Sequence, residues 1–273
     1  MKFSVLMSVY KNDKAEEVAN ALDSLIHQTV RPDQIVLVLD GPGSDEINKL
    51  VNRYAFEEDI IDLVPLEKNV GLGNALSIGL TYCKYEYVAR MDSDDFSLPN
   101  RFKKQIYFLN LHPEIDVLGG QIVEYDSKMR NKVAIRKVPL TMDDIANRMK
   151  TRNGMNHVTV MYKKSAVLAV GNYQHCPYFE DYYLWCRMIM AGYHFHNLED
   201  ILVNVRTGEG MYQRRGGTVY NKAIIEFQNK ILELGIINRF QYCVNLVIRL
   251  LVANIPNALR GYVYKTKLRS NNE

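Results

Sequence analysis

The stretch EYVARMDSDD, residues 86–95, sets an apolar run directly before a dense group of carboxylates. The run from Glu86 to Met91 has the length and composition of a buried strand. Asp92, Asp94 and Asp95 follow it at once. Ligands of open α/β sheets bind at the carboxyl ends of the strands, so this stretch predicts a strand that ends at a binding site.

The residues upstream alternate between short apolar runs and amphipathic helical patterns. The runs that predict strands cover residues 3–9, 34–39 and 60–66, and the helical patterns cover residues 15–27, 45–56 and 73–83. This alternation implies a parallel sheet built from βαβ units. The polar residues just after the predicted strands, where a site is expected, are Tyr10, Asp40, Lys68 and Asn69.

Beyond residue 100 the pattern is looser, and mixed strand pairing is expected. Helices are predicted over residues 99–112 and 180–191, and strands over residues 115–123, 132–138 and 157–162. The predicted fold class is α/β, with a mixed, mostly parallel central sheet flanked by helices and followed by a C-terminal helical extension.

The composition is that of one folded domain with an appendage. Of the 273 residues, 47% are hydrophobic and 24% charged, so disordered, collagen-like and repeat architectures lack compositional support. A net charge of +3 does not argue for nucleic acid as a partner. The four cysteines form no CxxC pair, and the apolar N-terminal run is too short for a signal peptide, so reduced thiols and a cytoplasmic location are expected.

The closely spaced acids after Met91 favour a metal site. Neighbouring carboxylates repel one another, and a divalent cation that also binds a diphosphate would offset this repulsion. Oxygen ligands suit Mg²⁺ or Mn²⁺. The alternative is a solvated acidic turn or a helix cap, because Asp95 to Pro99 precedes a predicted helix.

Two glycine-containing stretches give weaker indications of ligand binding. The glycines of residues 40–43 would let a flat ligand approach, and Asp40 would accept hydrogen bonds from a base or ribose; a plain turn is the alternative. Residues 68–75, KNVGLGNA, are similar to a phosphate-binding loop but lack both the Walker lysine pattern and the GxGxxG spacing.

Taken together, the motifs of this chain resemble the inverting family 2 glycosyltransferases of the GT-A fold. The motifs, in chain order, are Ser8-Val9-Tyr10, Asp40-Gly41, Asn69-x-Gly71, Asp92-x-Asp94-Asp95 and Phe179-Glu180-Asp181. The similarity covers roughly residues 3–215. It implies a catalytic domain over residues 1–217, with a nucleotide-sugar-binding half over about 1–98 and an acceptor-binding half over about 99–217, and an extension over 218–273.

The resemblance also implies a role for each site residue. Asp94 and Asp92 would bind the metal, Asp181 would act as the general base, and Glu180 would position the base or the acceptor. Without the other motifs, these last two would be ordinary first-turn acids of a helix. The residues implied in binding the nucleotide sugar are Ser8, Val9, Tyr10, Asp40, Lys68, Asn69, Gly73, Arg90, Asp92, Ser93, Asp94, Arg206, Arg214 and Arg215.

The chain departs from the family pattern at one position, and two further expectations concern a loop and the acceptor. Leu39 stands where many family members have a second acid, which bears on recognition of the base. The arginine-containing loop of residues 206–217 would close over the diphosphate; a solvated loop is the alternative. His157, Glu180 and Trp185 are expected to contact the acceptor, with core packing as the alternative for His157 and Trp185.

The C-terminal extension is both basic and apolar. From Arg239 to Asn272 it has six basic residues and no acid, and Cys243 to Ile255 is strongly apolar. This apolar run is too short to span a bilayer. Two alternatives stay open: an interfacial helix on an anionic membrane, or a helix packed on the catalytic domain.

These features predict an enzyme that moves a hexose from a nucleotide-diphosphate sugar, with UDP as the expected nucleotide, to a saccharide acceptor. The expected cofactor is Mn²⁺ or Mg²⁺. The resemblance implies a lipid-linked acceptor, bacterial surface polysaccharide synthesis, and a peripheral location on the cytoplasmic face of the inner membrane. The alternatives are a Mg²⁺-dependent nucleotidyl or phosphoryl transferase and a non-catalytic sugar-nucleotide-binding module.

Overall fold

A computed structural model describes residues 1–208 and 216–255, and within these residues nine strands form one sheet. The strands are β1 (Phe3–Val9), β2 (Gln34–Leu39), β3 (Ile61–Pro65), β4 (Tyr87–Met91), β5 (Phe96–Ser97), β6 (Val117–Tyr125), β7 (Lys132–Arg136), β8 (Met161–Lys163) and β9 (Phe195–Arg206). The helices are α1 (Ala15–Ile26), α2 (Asp45–Glu57), α3 (Leu72–Tyr82), α4 (Arg101–Leu111), α5 (Met142–Met149), α6 (Lys164–Ala169), α7 (Glu180–Met190), α8 (Gly217–Glu233) and α9 (Arg239–Asn254).

The first four long strands form the predicted parallel half of the sheet. Their order is β3-β2-β1-β4, and each pairs in parallel with its neighbour. Val9 lies beside Leu39, and Met91 lies beside Met7, so the carboxyl ends of these strands meet at one edge. The residues that follow, including Tyr10, Asp40 and Asp92, therefore gather at that edge.

The second half of the sheet is mixed. Strand β8 runs antiparallel to both β4 and β6, and β9 runs parallel to β6. Strand β5 pairs with the far end of β9, and β7 forms a hairpin with β6. The predicted α/β class with a mixed central sheet flanked by helices is confirmed.

Several elements differ from the sequence prediction, which did not include α5, α6 or β5. Residues His157–Thr159, expected to be a strand, form a 3₁₀ turn, and the strand begins only at Met161. The cause is local, because the Thr159 hydroxyl donates to the carbonyl of Asn156 at 2.7 Å and so favours a turn. The long strand β9 was not predicted, since its pairing with β6 is irregular and its burial does not alternate with period two.

Side chains of β1 alternate between two cores, one on each face of the sheet. Phe3 packs edge-on against Phe102 of α4, with ring centroids 4.8 Å apart, in the core that α1, α2 and α4 cover. Leu6 belongs to the opposite core, which α3, α7 and α8 cover. Helix α3 comes close to the sheet because it has Gly79, where a Cβ would lie 2.6 Å from Leu6 Cδ1.

The described part of the C-terminal extension packs on the catalytic domain. Phe227 of α8 is fully buried and stacks on Phe179 with ring centroids 4.6 Å apart. One face of α9 follows α8 into the same core, whereas its other face carries exposed large apolar side chains: Phe240, Val244, Val247, Ile248 and Leu251. No helix in residues 1–208 and 216–255 is long and apolar enough to cross a bilayer.

Candidate functional site

Asp40 closes the loop that follows β3. Its Oδ1 accepts from the backbone N–H of Val70 at 2.7 Å, and its Oδ2 accepts from Gly71 N at 3.1 Å and from Asn69 Nδ2 at 3.0 Å. Gly41 has φ 83°, and a Cβ there would lie 2.4 Å from Asn69 N, so only glycine fits between the two loops. The structure thus brings the Asp40-Gly41 and Asn69-x-Gly71 motifs into direct contact.

The residues after β1 form the second wall of the site. Val9 is buried, and its carbonyl accepts from the backbone N–H of Asp40 at 2.7 Å, whereas Ser8 and Tyr10 are half-buried. Lys68 lies exposed on the loop that Asp40 closes. These positions place the predicted nucleotide-binding residues on one edge of the sheet.

Asp13 is a site residue that the sequence prediction missed. Its Oδ2 accepts from Tyr10 N at 3.1 Å and from Ser93 Oγ at 2.8 Å, so it joins the first loop to the acid cluster. Burial raises the pKa of Asp13, and the nearby Asp92 raises it further. No periodic signal in the sequence marks this role, because it depends on a side-chain bond between two loops.

The acid cluster after β4 is strongly electronegative. Burial raises the pKa of Asp94 to about 6, with repulsion from Asp92 and Asp13 adding to the effect. Burial raises the pKa of Asp95 well above its ordinary value, and repulsion from Asp92 and Asp94 adds to this rise. Several carboxylates in one partly desolvated place therefore favour a positive partner, either a proton or a cation.

Arg206, at the end of β9, is joined to this cluster by hydrogen bonds from its backbone and its side chain. Its backbone N–H donates to Asp95 Oδ1 at 2.8 Å, and its Nε donates to the carbonyl of Asp94 at 3.1 Å. Its Nη1 donates to the carbonyl of Ser127 at 2.6 Å, and Glu17 Oε1 lies 3.5 Å from its Nε. Arg206 thus fastens β9 to the acid cluster. Arg214 and Arg215 lie outside the described residues.

Arg90 is a buried cation that contacts the acid cluster directly. It forms an ion pair with Asp92. Burial raises the pKa of both Glu180 and Asp181, at the start of α7, and the Arg90 charge partly offsets this rise. One guanidinium therefore acts on both the acid cluster and the Glu180–Asp181 pair.

Glu180 and Asp181 are first-turn residues of α7, as the sequence predicted. Burial raises the pKa of Glu180 to about 7, and the Asp181 charge contributes to the rise. Gly73 lies directly against Glu180 and leaves room for its side chain. Burial also raises the pKa of Asp181, whose Oδ2 accepts from Asn153 Nδ2 at 2.7 Å.

The two aromatic candidates for the acceptor site lie deeper than expected. Trp185 is fully buried, and its ring packs edge-on against Phe195 and His157, so it contributes to the core rather than to an open surface. The expectation that it stacks on an acceptor is corrected on this ground. His157 is half-buried, and its Nε2 lies 2.9 Å from the Tyr173 hydroxyl.

The acid cluster offers a limited set of metal ligands. In the part of the chain that the structure describes, no three His, Cys, Asp or Glu side chains are placed to hold one ion. Asp94 and Asp92 supply two carboxylates, and one oxygen of Asp92 already pairs with Arg90. Such a set fits Mg²⁺ or Mn²⁺, which are often bound by one or two carboxylates together with substrate phosphates.

Comparison with known proteins defines the family. The model of Glycosyl transferase family 2 matches residues 4–175, which include Asp40, the Asn69–Gly71 loop and the acid cluster. The chain belongs to glycosyl transferase family 2. This glycosyltransferase is 38% identical over 263 residues to the amylovoran biosynthesis glycosyltransferase AmsE of Erwinia amylovora, covering 96% of this chain and 98% of that protein.

Two other similar proteins carry information about ligands. The UDP-Gal:alpha-D-GlcNAc-diphosphoundecaprenol beta-1,3-galactosyltransferase of Escherichia coli is 33% identical over 268 residues, covering 98% of this chain and 97% of that protein. The structure of S. aureus TarS 1–349 in complex with UDP-GlcNAc has a TM-score of 0.66 at 20% identity, covering 98% of this chain and 77% of that one. This structural likeness confirms the GT-A fold of the family 2 glycosyltransferase.

Proposed function

We propose that this glycosyltransferase moves a hexose from a UDP-sugar to a hydroxyl of a saccharide, in one inverting displacement with Asp181 as the base. The observation that carries the proposal is the position of Arg90. This buried cation pairs with Asp92, and its charge partly offsets the burial that raises the pKa of Glu180 and Asp181. The loop that Asp40 holds also leads into Gly73, which packs against Glu180, so a donor bound between this loop and the acid cluster would lie near the base.

The donor side is supported by the loops at the edge of the sheet. Asp40 and the Asn69–Gly71 loop hold one another, and the half-buried Tyr10 completes the wall where a nucleotide base and ribose would bind. UDP is the proposed nucleotide because the Escherichia coli relative is named for UDP-Gal and the TarS structure contains UDP-GlcNAc.

Asp94 and Asp92 are the proposed ligands of a divalent cation. When bound, the cation would neutralise the charge that develops on the leaving diphosphate. The carboxylates of the acid cluster concentrate negative charge at this position. Burial, together with repulsion from Asp92 and Asp13, raises the pKa of Asp94 to about 6. Arg206 and Arg90 limit this charge and hold the strands on both sides of the cluster in place.

Asp181 would accept the proton of the acceptor hydroxyl as that oxygen attacks the anomeric carbon. A single attack opposite the leaving diphosphate inverts the anomeric centre. Glu180 stands beside the base and next to Gly73, where it would contact the acceptor or the donor sugar. A glycosidase would instead need two carboxylic groups on opposite sides of the bond, one of them protonating a sugar leaving group.

The acceptor side of the proposal is a lipid-linked saccharide in bacterial polysaccharide synthesis. It is supported by the named activities of the Erwinia amylovora and Escherichia coli relatives. The exposed apolar face of α9 and the basic composition of residues 239–272 would hold the enzyme on the cytoplasmic face of the inner membrane. Residues 256–273 contribute to this argument by composition alone.

Calorimetry and transfer assays test the proposal together. Wild type is expected to bind UDP, but not GDP or CMP, in Mn²⁺ and much more weakly in EDTA. Asp94→Ala should lose the difference between Mn²⁺ and EDTA, whereas Asp181→Asn should bind UDP within about threefold of wild type but transfer no sugar. Phosphate release without sugar transfer would instead favour a phosphoryl transferase, and no nucleotide binding under any condition would overturn the proposal.

A further inference from the structure

A short segment between α5 and the 3₁₀ turn runs past the first turn of α7 and contacts Asp181. Asn153 in this segment donates from Nδ2 to Asp181 Oδ2 at 2.7 Å. Its Oδ1 accepts from the backbone N–H of Met155 at 3.0 Å. The orientation of the amide is therefore fixed by chemistry, because only Nδ2 can donate to a carboxylate and Oδ1 already has its own donor.

The hydrogen bond from Asn153 joins the Asp181 carboxylate to a segment outside α7. A donor on a separate element restricts the rotation that a carboxylate at the end of a short side chain would otherwise retain. A base that must face one hydroxyl of an acceptor depends on such a restriction.

Helix α9 holds the segment that carries Asn153. Asn245 Nδ2 donates to the carbonyl of Lys150 at 2.7 Å, and Arg249 Nη2 donates to the carbonyl of Thr151, also at 2.7 Å. The Arg249 guanidinium lies 5.7 Å from the ring centroid of Phe179 and 5.8 Å from that of Tyr182. The basic residue that interrupts the apolar run of α9 therefore faces inward, toward the segment and the start of α7.

We propose that Asn153 is a positioning residue for the Asp181 base, and that α9 holds Asn153 in place through Asn245 and Arg249. This positioning role rests on the proposed function in one respect, which is that Asp181 acts as the base. It makes the C-terminal extension a part of the catalytic apparatus, although no residue of α9 contacts the base.

Removal of the Asn153 donor has a defined electrostatic consequence. The donor lowers the pKa of Asp181, which burial raises, so its loss raises that pKa further. An essential base with a higher pKa shifts the acid limb of the kcat profile to higher pH. The other charged or titratable groups whose interactions with Asp181 contribute are Arg136, Arg90, Glu180, Tyr173, Cys176, Tyr182 and Cys186.

Asn153→Leu and Asn153→Asp test the first part of the proposal. Both remove the donor, and the second also adds a like charge. We expect kcat to fall by about 10- to 100-fold while the donor KM changes by less than about twofold, and the acid limb to move to higher pH, more so in Asn153→Asp. Asn147→Leu, at an exposed position of α5, is the matched control and should keep the wild-type kcat, donor KM and acid limb.

The double variant Asn245→Leu/Arg249→Met tests the second part. It should lower kcat by about 3- to 30-fold, shift the acid limb in the same direction and speed hydrogen exchange at the backbone amide of Met155. The control is Asn254→Leu, which removes the contact of α9 with Asn221 on α8 but leaves Lys150 and Thr151 untouched. Equal effects of the double variant and the control would mean that α9 matters only for stability.

A carboxyl ¹³C titration of Asp181 in the full chain separates this proposal from the proposed function. The pKa of Asp181 should rise in Asn153→Leu and in the α9 double variant, but not in either control. This readout needs no sugar transfer, so an inactive wild type would overturn the proposed function alone. An unchanged pKa in Asn153→Leu, or an unchanged kcat and acid limb in an active enzyme, would overturn the positioning role.

Discussion

Gly73 leaves the space that the side chain of Glu180 occupies. A Cβ built on Gly73 would lie 2.6 Å from Glu180 Cγ and 3.2 Å from Glu180 Cβ. Gly73 belongs to the first turn of α3, and Glu180 to the first turn of α7, so two helix starts meet here. The glycine-rich loop therefore has a steric function toward the Glu180–Asp181 pair, in addition to any contact with the donor.

Gly73→Ala should displace Glu180 and lower kcat. The new methyl group can fit only if Glu180 or the start of α3 moves, and overpacking of this kind costs about 1–3 kcal/mol. We expect kcat to fall at least about tenfold, measured by initial rates at saturating donor and acceptor. Ser77→Ala, in the same helix, should change the rate by less than about twofold. Equal rates for wild type and Gly73→Ala would contradict the steric function.

Glu180 should make the folded state lose stability as pH rises from 4.5 to about 7. Its pKa is raised from 4.5 to about 7 by burial and by Asp181, so the folded chain binds more protons than the unfolded chain over this range. Stability contributed by the protonated form is complete below pH 4.5 and is lost as pH rises through about 7, with an upper bound of about 3 kcal/mol.

Glu180→Gln provides the measurement, because glutamine keeps the shape but does not titrate. Urea unfolding at several pH values should show a flatter stability profile between pH 4.5 and 7 in the variant than in wild type. Glu46→Gln, an exposed site on α2, is the control and should keep the wild-type slope. Parallel profiles for Glu180→Gln and wild type would contradict the raised pKa.

Asp40→Asn should weaken both the fold and the nucleotide site. Asparagine must turn an NH₂ group toward at least one of the donors that Asp40 now accepts, which are Val70 N, Gly71 N and Asn69 Nδ2. We expect about 1–3 kcal/mol loss in the free energy of unfolding and at least about tenfold weaker UDP binding by calorimetry. Asp59→Asn, at an exposed turn, is the control and should change neither the free energy of unfolding nor UDP binding. Wild-type UDP affinity in Asp40→Asn would contradict the role of Asp40 in the nucleotide site.

The part of the site that follows strand ends could be predicted from the sequence. Asp40 and Asp92 stand directly after strands of a βαβ pattern, with Asp94 two residues beyond Asp92, and parallel topology brings such ends to one edge. Asn153 and Asp13 could not be assigned in this way. Their roles depend on which chain segments lie beside the base and the acid cluster, and side-chain bonds across loops leave no periodic signal.

Local patterns also could not separate core from surface in the second half of the chain. Trp185 follows the Glu180–Asp181 pair at helical spacing, and only the tertiary structure shows that its side of α7 faces the core. Arg249 interrupts an apolar run, which indicated a membrane surface or a packed helix equally well. The fold shows that α9 has both an inner face, with Arg249, and an outer apolar face.

The outer face of α9 should bind anionic membranes. Phe240 and Ile248 are 77% and 55% exposed, and they stand on one stripe with Val244, Val247 and Leu251 at helical spacing. A helix of this kind binds an interface by burying its apolar face while basic residues attract anionic lipids. Wild type should therefore sediment with phosphatidylglycerol-containing vesicles, and less so with neutral ones or at high salt.

Phe240→Glu/Ile248→Glu should abolish most of this binding without unfolding the protein. Each change removes an apolar side chain worth about 1.5–3 kcal/mol when buried and adds a charge that anionic lipids repel, so vesicle affinity should fall at least about tenfold. The thermal midpoint should stay within about 2 °C of wild type, because both side chains are exposed. Phe56→Glu, at a 91% exposed position on α2, is the matched control and should keep full binding. Equal loss in the control would assign the binding to net charge alone, and unchanged binding in the double variant would show that this face of α9 is not the membrane contact.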